Sequence, residues 1–326
     1  MMKNNNNGTA LVSVIISTFR RSPELVSRAL KSVLAQTYPR IQVIVVEDSP
    51  EDYPEREDVH QTVQSLCPQV MLLSTGGNRG APVARNMGIR ASEGEYIAFL
   101  DDDDEWLPNK IADQMTCFVS EELALVYGQF IMVEDEERFQ CPGVKEWHSG
   151  SVYEKLLKTN FIGTTSVPLM RKSCVEAIGG FDEEMQSAQD YDLYLRLAQK
   201  YKIGYTRNVC AIYHMHEGTR ISTDMQAKIQ GHERLVRKYA ADLERSPAGW
   251  VGQYRMLSLL YRRNGKTYKA LKTWALTVRK RPTDILRNMK WFFRALVKPD
   301  FPPYRLYLWL KNRLKGLILK TEMERT

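Results

Sequence analysis

The sequence predicts an α/β fold built on a mostly parallel sheet, followed by an α-helical C-terminal extension. Three observations carry that prediction. β-branched apolar runs alternate with amphipathic helical stretches over the first hundred residues, and the fourth run stops in Asp101-Asp102-Asp103-Asp104. Beyond Asp224 the spacing turns helical and the charge reverses sign. At 326 residues, 43% of them hydrophobic and 26% charged, the chain has room for one large domain plus an attachment of roughly a hundred residues. That composition excludes a disordered, collagen-like or disulfide-scaffold protein.

Residues 11–17, Leu-Val-Ser-Val-Ile-Ile-Ser, read as a buried strand. Ser22 as N-cap and Pro23 at the first helical position open a helix with apolar residues at Leu25, Val26, Ala29, Leu30, Val33 and Leu34. Tyr38-Pro39 ends it, because a residue before proline is pushed out of the helical region. Residues 41–46 give a second buried strand that runs into Glu47-Asp48. This βαβ unit places Thr18 and Asp48 at the carboxyl ends of parallel strands, where open α/β sheets bind ligands. After a polar loop, residues 70–73 form a third strand, 81–91 a helix behind a glycine-rich turn, and 95–100 a fourth strand. From about 105 to 215 the alternation is less regular, with strands expected near 123–133 and 203–213 and a helix near 191–200.

In the extension, Leu257, Leu260, Tyr261, Gly265, Tyr268, Ala270, Leu271, Trp274, Ala275 and Pro282 follow the spacing of one tetratricopeptide-like helix pair, where an array needs at least three copies. Residues 304–320 predict a last helix, with Leu306, Leu310, Leu314, Leu317 and Ile318 among Arg305, Lys311, Arg313, Lys315 and Lys320. Residues 225–326 hold 24 Lys+Arg against 7 Asp+Glu, whereas 1–224 hold 22 against 32. A basic, aromatic-containing tail suits an anionic partner, either a membrane surface or nucleic acid, and the acidic part suits a metal ion. Five cysteines, Cys67, Cys117, Cys141, Cys174 and Cys210, are widely spaced and signal neither a disulfide framework nor a zinc site, so a reducing cytosol is expected. The polar start at Asn4 to Asn7 carries no leader pattern, and no run of about 18 apolar residues marks a spanning helix.

The strongest chemical feature is the acidic tetrad. Four adjacent carboxylates repel one another unless a cation or water screens them. They fit a hard cation, Mg2+ or Mn2+, bridging the protein to a diphosphate. They fit equally a charged surface turn with a helix N-cap at Asp104. Residues 78–88, Asn-Arg-Gly-Ala-Pro-Val-Ala-Arg-Asn-Met-Gly, add Arg79 and Arg85, whose guanidinium groups suit phosphates or base edges. Asp48 suits either a strand-end cap or a nucleobase acceptor.

Taken together, VSVIISTFR (12–20), QTYP (36–39), IVVED (44–48), NRGAPVARNMG (78–88), EYIAFLDDDD-EWLP (95–108), IGGFDE (178–183) and QDYDLYLRL (189–197) resemble family 2 glycosyltransferases in content and in order. The resemblance spans roughly residues 10–220. It implies the GT-A fold, a Rossmann-like nucleotide-diphospho-sugar transferase domain over residues 10–224. Residues 10–104 would form its nucleotide-binding half and 105–224 its acceptor-binding half, with 1–9 a flexible N-terminus and 225–326 the basic extension. Thr18 and Asp48 match positions that contact base and ribose, and Arg79 and Arg85 lie in a segment shaping the donor pocket. The D-x-D motif falls on Asp101 and Asp103, with Asp102 between them and Asp103 as metal ligand for Mn2+ or Mg2+. The family's acidic pair reads Gln189-Asp190 here, so Asp190 alone fits the catalytic base, with Asp192 as runner-up. His216, ahead of Glu217-Gly218-Thr219, matches a late histidine near the metal or diphosphate.

The implied reaction is inverting transfer of a sugar from a nucleotide sugar, expected to be UDP-linked, to a saccharide or lipid-linked acceptor in polysaccharide biosynthesis. The expected location is cytoplasmic, with peripheral attachment to the anionic inner face of the membrane through the basic helices; nucleic acid is not the expected partner. Two rivals remain at this stage. Sugar-phosphate nucleotidyl transfer uses similar parts but wants a glycine-rich, lysine-containing loop where this chain has Ser17-Thr18-Phe19-Arg20. A catalytically inactive protein that binds polyanions or membranes through its tail is the other.

Overall fold

The β-branched runs near the start of the chain become the buried parallel strands of a nine-stranded sheet. The structure, a computed structural model, describes residues 9–134, 137–140, 147–215 and 224–281. The chain divides into two compact units, Met1–Lys238 and Tyr239–Thr326. The first opens with β1 (Val12–Thr18), α1 (Pro23–Leu34), β2 (Ile41–Glu47), α2 (Arg56–Leu66), β3 (Met71–Ser74), α3 (Ala81–Ala91) and β4 (Tyr96–Asp101). β1 pairs in parallel with both β2 and β4, and β2 with β3, so Ile15 lies between Ile44 and Phe99. Val14, Ile15, Ile16, Ile44, Ile97 and Phe99 are buried, as helix-covered parallel strands require. Each such side chain contributes about 1.5–3 kcal/mol on burial. Helix α3 lies so close over β1 that a methyl at Gly88 would overlap the Ile15 side chain.

Helix α2 occupies what the sequence suggests is a polar loop. Only Val59 and Val63 of that helix are buried hydrophobics, a stripe too narrow to show as amphipathic periodicity. The chain continues through β5 (Glu105–Trp106), α4 (Lys110–Met115), β6 (Leu123–Glu134), β7 (Glu137–Gln140), α5 (Tyr153–Lys158), β8 (Leu169–Arg171), α6 (Lys172–Ala177), α7 (Gln189–Lys200), β9 (Lys202–Met215) and α8 (Met225–Lys238). The sheet order is β3-β2-β1-β4-β8-β6-β9-β5, with β7 pairing β6. β8 runs antiparallel to both β4 and β6, so these three residues join the two parts of the sheet. The expected strands near 123–133 and 203–213 are present as β6 and β9, paired in parallel.

The acidic tetrad is not a surface turn. Asp102, Asp103 and Asp104 are buried, Asp104 accepts a hydrogen bond from Ser166 Oγ at 2.6 Å, and residues 105–106 pair with β9 as a strand. The next helix starts at Lys110 behind Asn109, so Asp104 is not its N-cap.

The second unit contains α9 (Ala240–Arg245), α10 (Pro247–Arg263) and α11 (Thr267–Lys280). Ser246 accepts a 3.3 Å hydrogen bond from the Gly249 N–H at the start of α10, and Ser258 Oγ donates to the Ala270 carbonyl at 2.8 Å, tying α10 to α11. Leu257, Leu260, Tyr261 and Ala270 are buried, while Tyr268 is 79% exposed. Pro282 and the expected helix at 304–320 lie outside the described residues. Composition changes at 224/225, whereas α8 belongs to the first unit through Lys238.

Candidate active site

The carboxyl ends of β1, β2 and β4 meet at one edge, and every described residue of the sequence-derived site lies on or beside it. At β1, Thr18 is buried and its hydroxyl oxygen has no hydrogen-bond partner. Its carbonyl accepts the Asp48 N–H at 2.8 Å. Asp48 Oδ1 accepts the Arg79 N–H at 2.8 Å and the Thr75 hydroxyl, and Oδ2 accepts the Gly80 N–H at 2.8 Å. Asp48 therefore holds the loop that leads into α3, the role of a strand-end cap. The Arg79 side chain is exposed on that loop. Arg20 and Asn78 adopt left-handed backbone angles, φ 49° and 53°, on the two sides of this corner. Such conformations outside glycine cluster where a site constrains the chain.

A cation from within the chain screens the acidic tetrad. Arg21 Nε donates to Asp102 Oδ1 at 2.8 Å and Nη2 to Asp103 Oδ2 at 2.9 Å. The Phe19 N–H reaches Asp102 Oδ2 at 3.3 Å, and Arg28 Nη2 donates to the Asp103 carbonyl at 2.6 Å. Burial pushes the Asp102 carboxyl up to about 7 against the pull of Arg21. Among the described residues no three His, Cys, Asp or Glu side chains converge as a metal cage. The donor set nonetheless suits a hard divalent cation: Mg2+ commonly takes only one or two carboxylates and completes its shell with water and substrate phosphates. Asp101 and Asp103, each balanced by an arginine, would supply that share, so the residues fit an ion that arrives with a diphosphate.

Arg85 does not face solvent as a free phosphate ligand. It is buried, donating through Nη2 to Asp101 Oδ1 at 2.7 Å and through Nη1 to Gln189 Oε1 at 2.8 Å. One guanidinium thus links the end of β4 to the start of α7, 104 residues apart in sequence. Asp190 follows Gln189 in the first turn of α7, behind Ala188 with φ 58°. Its Oδ1 accepts the Tyr191 N–H at 2.8 Å, and the positive end of the helix favours its charged form. Burial outweighs both that bond and Arg85, raising the Asp190 carboxyl to about 6. A carboxyl so tuned can take a proton near neutral pH.

Asp192, the runner-up, is fully buried and paired with Arg196 at 2.8 Å and Lys238 at 2.8 Å, so it serves packing. His216 lies outside the described residues. Two positions earlier, His214 Nε2 is 2.5 Å from Glu105 Oε1, and burial lowers its pKa. Sequence reading missed Arg21, Ser166 and Asn86. Asn86 donates to the Phe181 carbonyl at 2.9 Å and accepts the Phe181 N–H at 2.8 Å, fixing residues 178–183 against α3. Each of these pairings spans 62 to 95 residues, so nothing local announces it.

Comparison with known proteins gives this arrangement its class, the A-type fold of glycosyltransferases. Residues 13–175, half of the chain, match the family described as Glycosyl transferase family 2, and the chain belongs to that family. It is 31% identical over 300 residues to WcaA of Escherichia coli strain K12, a glycosyl transferase named for colanic acid biosynthesis, covering 88% of this chain and all of that one. It is 28% identical over 210 residues to the E. coli UDP-Glc:alpha-D-GlcNAc-diphosphoundecaprenol beta-1,3-glucosyltransferase WfaP, covering 64% of this chain and 79% of that one. Among solved structures it resembles the Pyrobaculum calidifontis mannosyltransferase PcManGT in complex with GDP-Man and Mn2+. That match has a TM-score of 0.58 at 18% identity, covering 98% of this chain and 89% of that one. S. aureus TarS residues 1–349 with UDP-GlcNAc give 0.56 at 16%, covering 83% and 89%. Both structural likenesses concern the fold. Family membership sets aside nucleotidyl transfer.

Proposed function

We propose that this glycosyltransferase transfers a sugar, with inversion, from a UDP-linked donor to a saccharide or lipid-linked acceptor. The observation that carries the reading is the Asp101–Arg85–Gln189 bridge, which joins the acidic strand end to the helix start bearing Asp190. Relatives support the substrate classes: WfaP is named for UDP-Glc and a diphosphoundecaprenol-linked acceptor, and TarS was solved with UDP-GlcNAc. Thr18, with its unpartnered hydroxyl, and the loop held by Asp48 and carrying Arg79 receive the nucleoside. Asp103 would hold the divalent cation, and Asp101 and Asp102 would lie beside the diphosphate; the bound cation would neutralise charge on the leaving nucleotide. Asp190 accepts the proton of the acceptor hydroxyl as that oxygen attacks the anomeric carbon, and single displacement inverts the configuration.

No helix among the described residues is long and apolar enough to cross a membrane. Contact with a lipid-linked acceptor instead comes from the basic extension, each Lys or Arg near an anionic surface contributing about 1 kcal/mol. The deciding test is thermal unfolding with UDP, GDP, TDP and CMP, each with Mn2+ or chelator, on wild type and Asp103→Ala. UDP with Mn2+ should stabilise wild type by about 2.7 kcal/mol at a hundred times its Kd. That gain should vanish with chelator and in the variant. Stabilisation by UDP that survives both would overturn the metal assignment.

A further inference from the structure

Helix α8 lies in the compositionally basic extension, yet it packs against the segment that delivers Asp190. A Cβ at Gly231 would stand 2.5 Å from the Ser187 carbonyl oxygen and 2.8 Å from its carbon, so α8 touches bare backbone one residue before the left-handed Ala188 turn. Real Cβ atoms do not approach backbone so closely, and glycine alone permits the contact. About two turns further on, Lys238 Nζ reaches Asp182 Oδ2 at 2.7 Å and the fully buried Asp192 Oδ1 at 2.8 Å. Arg234 adds ion pairs to Asp182 at 3.8 Å and to Glu184.

The same segment is gripped from two other elements. Arg196 of α7 holds the second Asp192 oxygen at 2.8 Å and donates to the Ile178 and Gly180 carbonyls at 2.9 and 2.6 Å. Asn86 of α3 holds both backbone groups of Phe181 and reaches Glu183 at 2.9 Å. Residues 178–192 are therefore fixed from α3, α7 and α8: Arg85 of α3 holds Gln189, and α8 meets the backbone of Ser187 on the other side of Ala188.

We propose that α8 is a brace for the catalytic base, with Gly231 and Lys238 as positioning residues that hold the turn at 187–190 and so the Asp190 carboxyl in line with Arg85 and Asp101. The proposal rests on the reading of Asp190 as the base. A base displaced by about 1 Å loses up to 100-fold in turnover while the distant nucleotide contacts keep their geometry.

The test compares wild type, Gly231→Ala, Lys238→Met, Lys238→Arg and Asp190→Asn as full-length chains. Amide hydrogen exchange is followed at residues 182–191, together with UDP binding in Mn2+ and turnover measured as UDP released from UDP-glucose. Gly231→Ala and Lys238→Met should speed exchange at 182–191 about tenfold, and lower kcat about 10- to 100-fold. KM for UDP-glucose and UDP affinity should stay within about twofold, and Lys238→Arg should restore both exchange and kcat. Unchanged exchange at 182–191 in both variants overturns the proposal whatever the donor. So does faster exchange with unchanged kcat, or a lowered kcat that Lys238→Arg does not restore. Wild-type turnover in Asp190→Asn would instead overturn the base assignment, leaving exchange to show that α8 orders the turn.

Discussion

At the scale of single residues the site is a set of charges held in reserve. Asp190 is lifted to about 6 by burial, so its carboxylate form, the form that can accept a proton, grows as pH rises through that value. Transfer should climb from pH 5, where about a tenth of Asp190 is deprotonated, and level off above 7. Asp190→Asn should remove this acidic limb and lower turnover about 100- to 10,000-fold while leaving UDP binding intact, as kcat and binding titrations on the pair would show. Arg21 stands between two buried aspartates, and its removal takes the guanidinium charge away from both. Arg21→Ala should cost about 3 kcal/mol in chelator, read by denaturant unfolding, and Mn2+ should restore more stability to the variant than to wild type. Asp103 and Asp190 could be singled out as candidates in the sequence because each sits in a short motif that resembles the family's, beside a strand end or helix start. Arg21 was not, because its value comes from Asp102, 81 positions away, and Arg85 was legible as a site residue but not as a bridge.

Elements were legible where burial stamped a period on the sequence. β1, β2 and β4, buried on both faces, and α3, bounded by its glycine turn, lie within one or two residues of where apolar runs place them. α2 was hidden because two valines make too thin a stripe, and β8 because three residues cannot show alternation. The packing of α3 on β1 through Gly88 gives a test at this scale. Gly88→Ala would drive a methyl into Ile15, and overpacking of a parallel core should cost about 1–3 kcal/mol in urea unfolding, with Ile15→Val recovering part of it. The recovery separates a steric clash from the ordinary helix-favouring effect of replacing glycine by alanine.

For the whole molecule, the charge division between residues 1–224 and 225–326 was plain in the sequence, whereas the inclusion of α8 in the first unit came only from packing. The full chain should sediment with vesicles rich in anionic phospholipid at low salt and release from them at high salt, since a Debye length falls to about 3 Å at 1 M. Failure to bind at low salt would remove the peripheral-attachment reading. A last consequence concerns how the sheet is assembled in time. β1 to β4 pair through short βαβ steps, but β4 can meet β6 only through β8, whose three residues come some 70 positions after β4 in the chain. Closing such a loop carries an entropic penalty before any contact rewards it. Refolding should therefore run in two phases, with amide protection in β1, β2 and β4 gained early and protection in β6 and β9 gained only as β8 docks. Pulsed exchange during refolding would register β8 as the late step that turns two partial sheets into one.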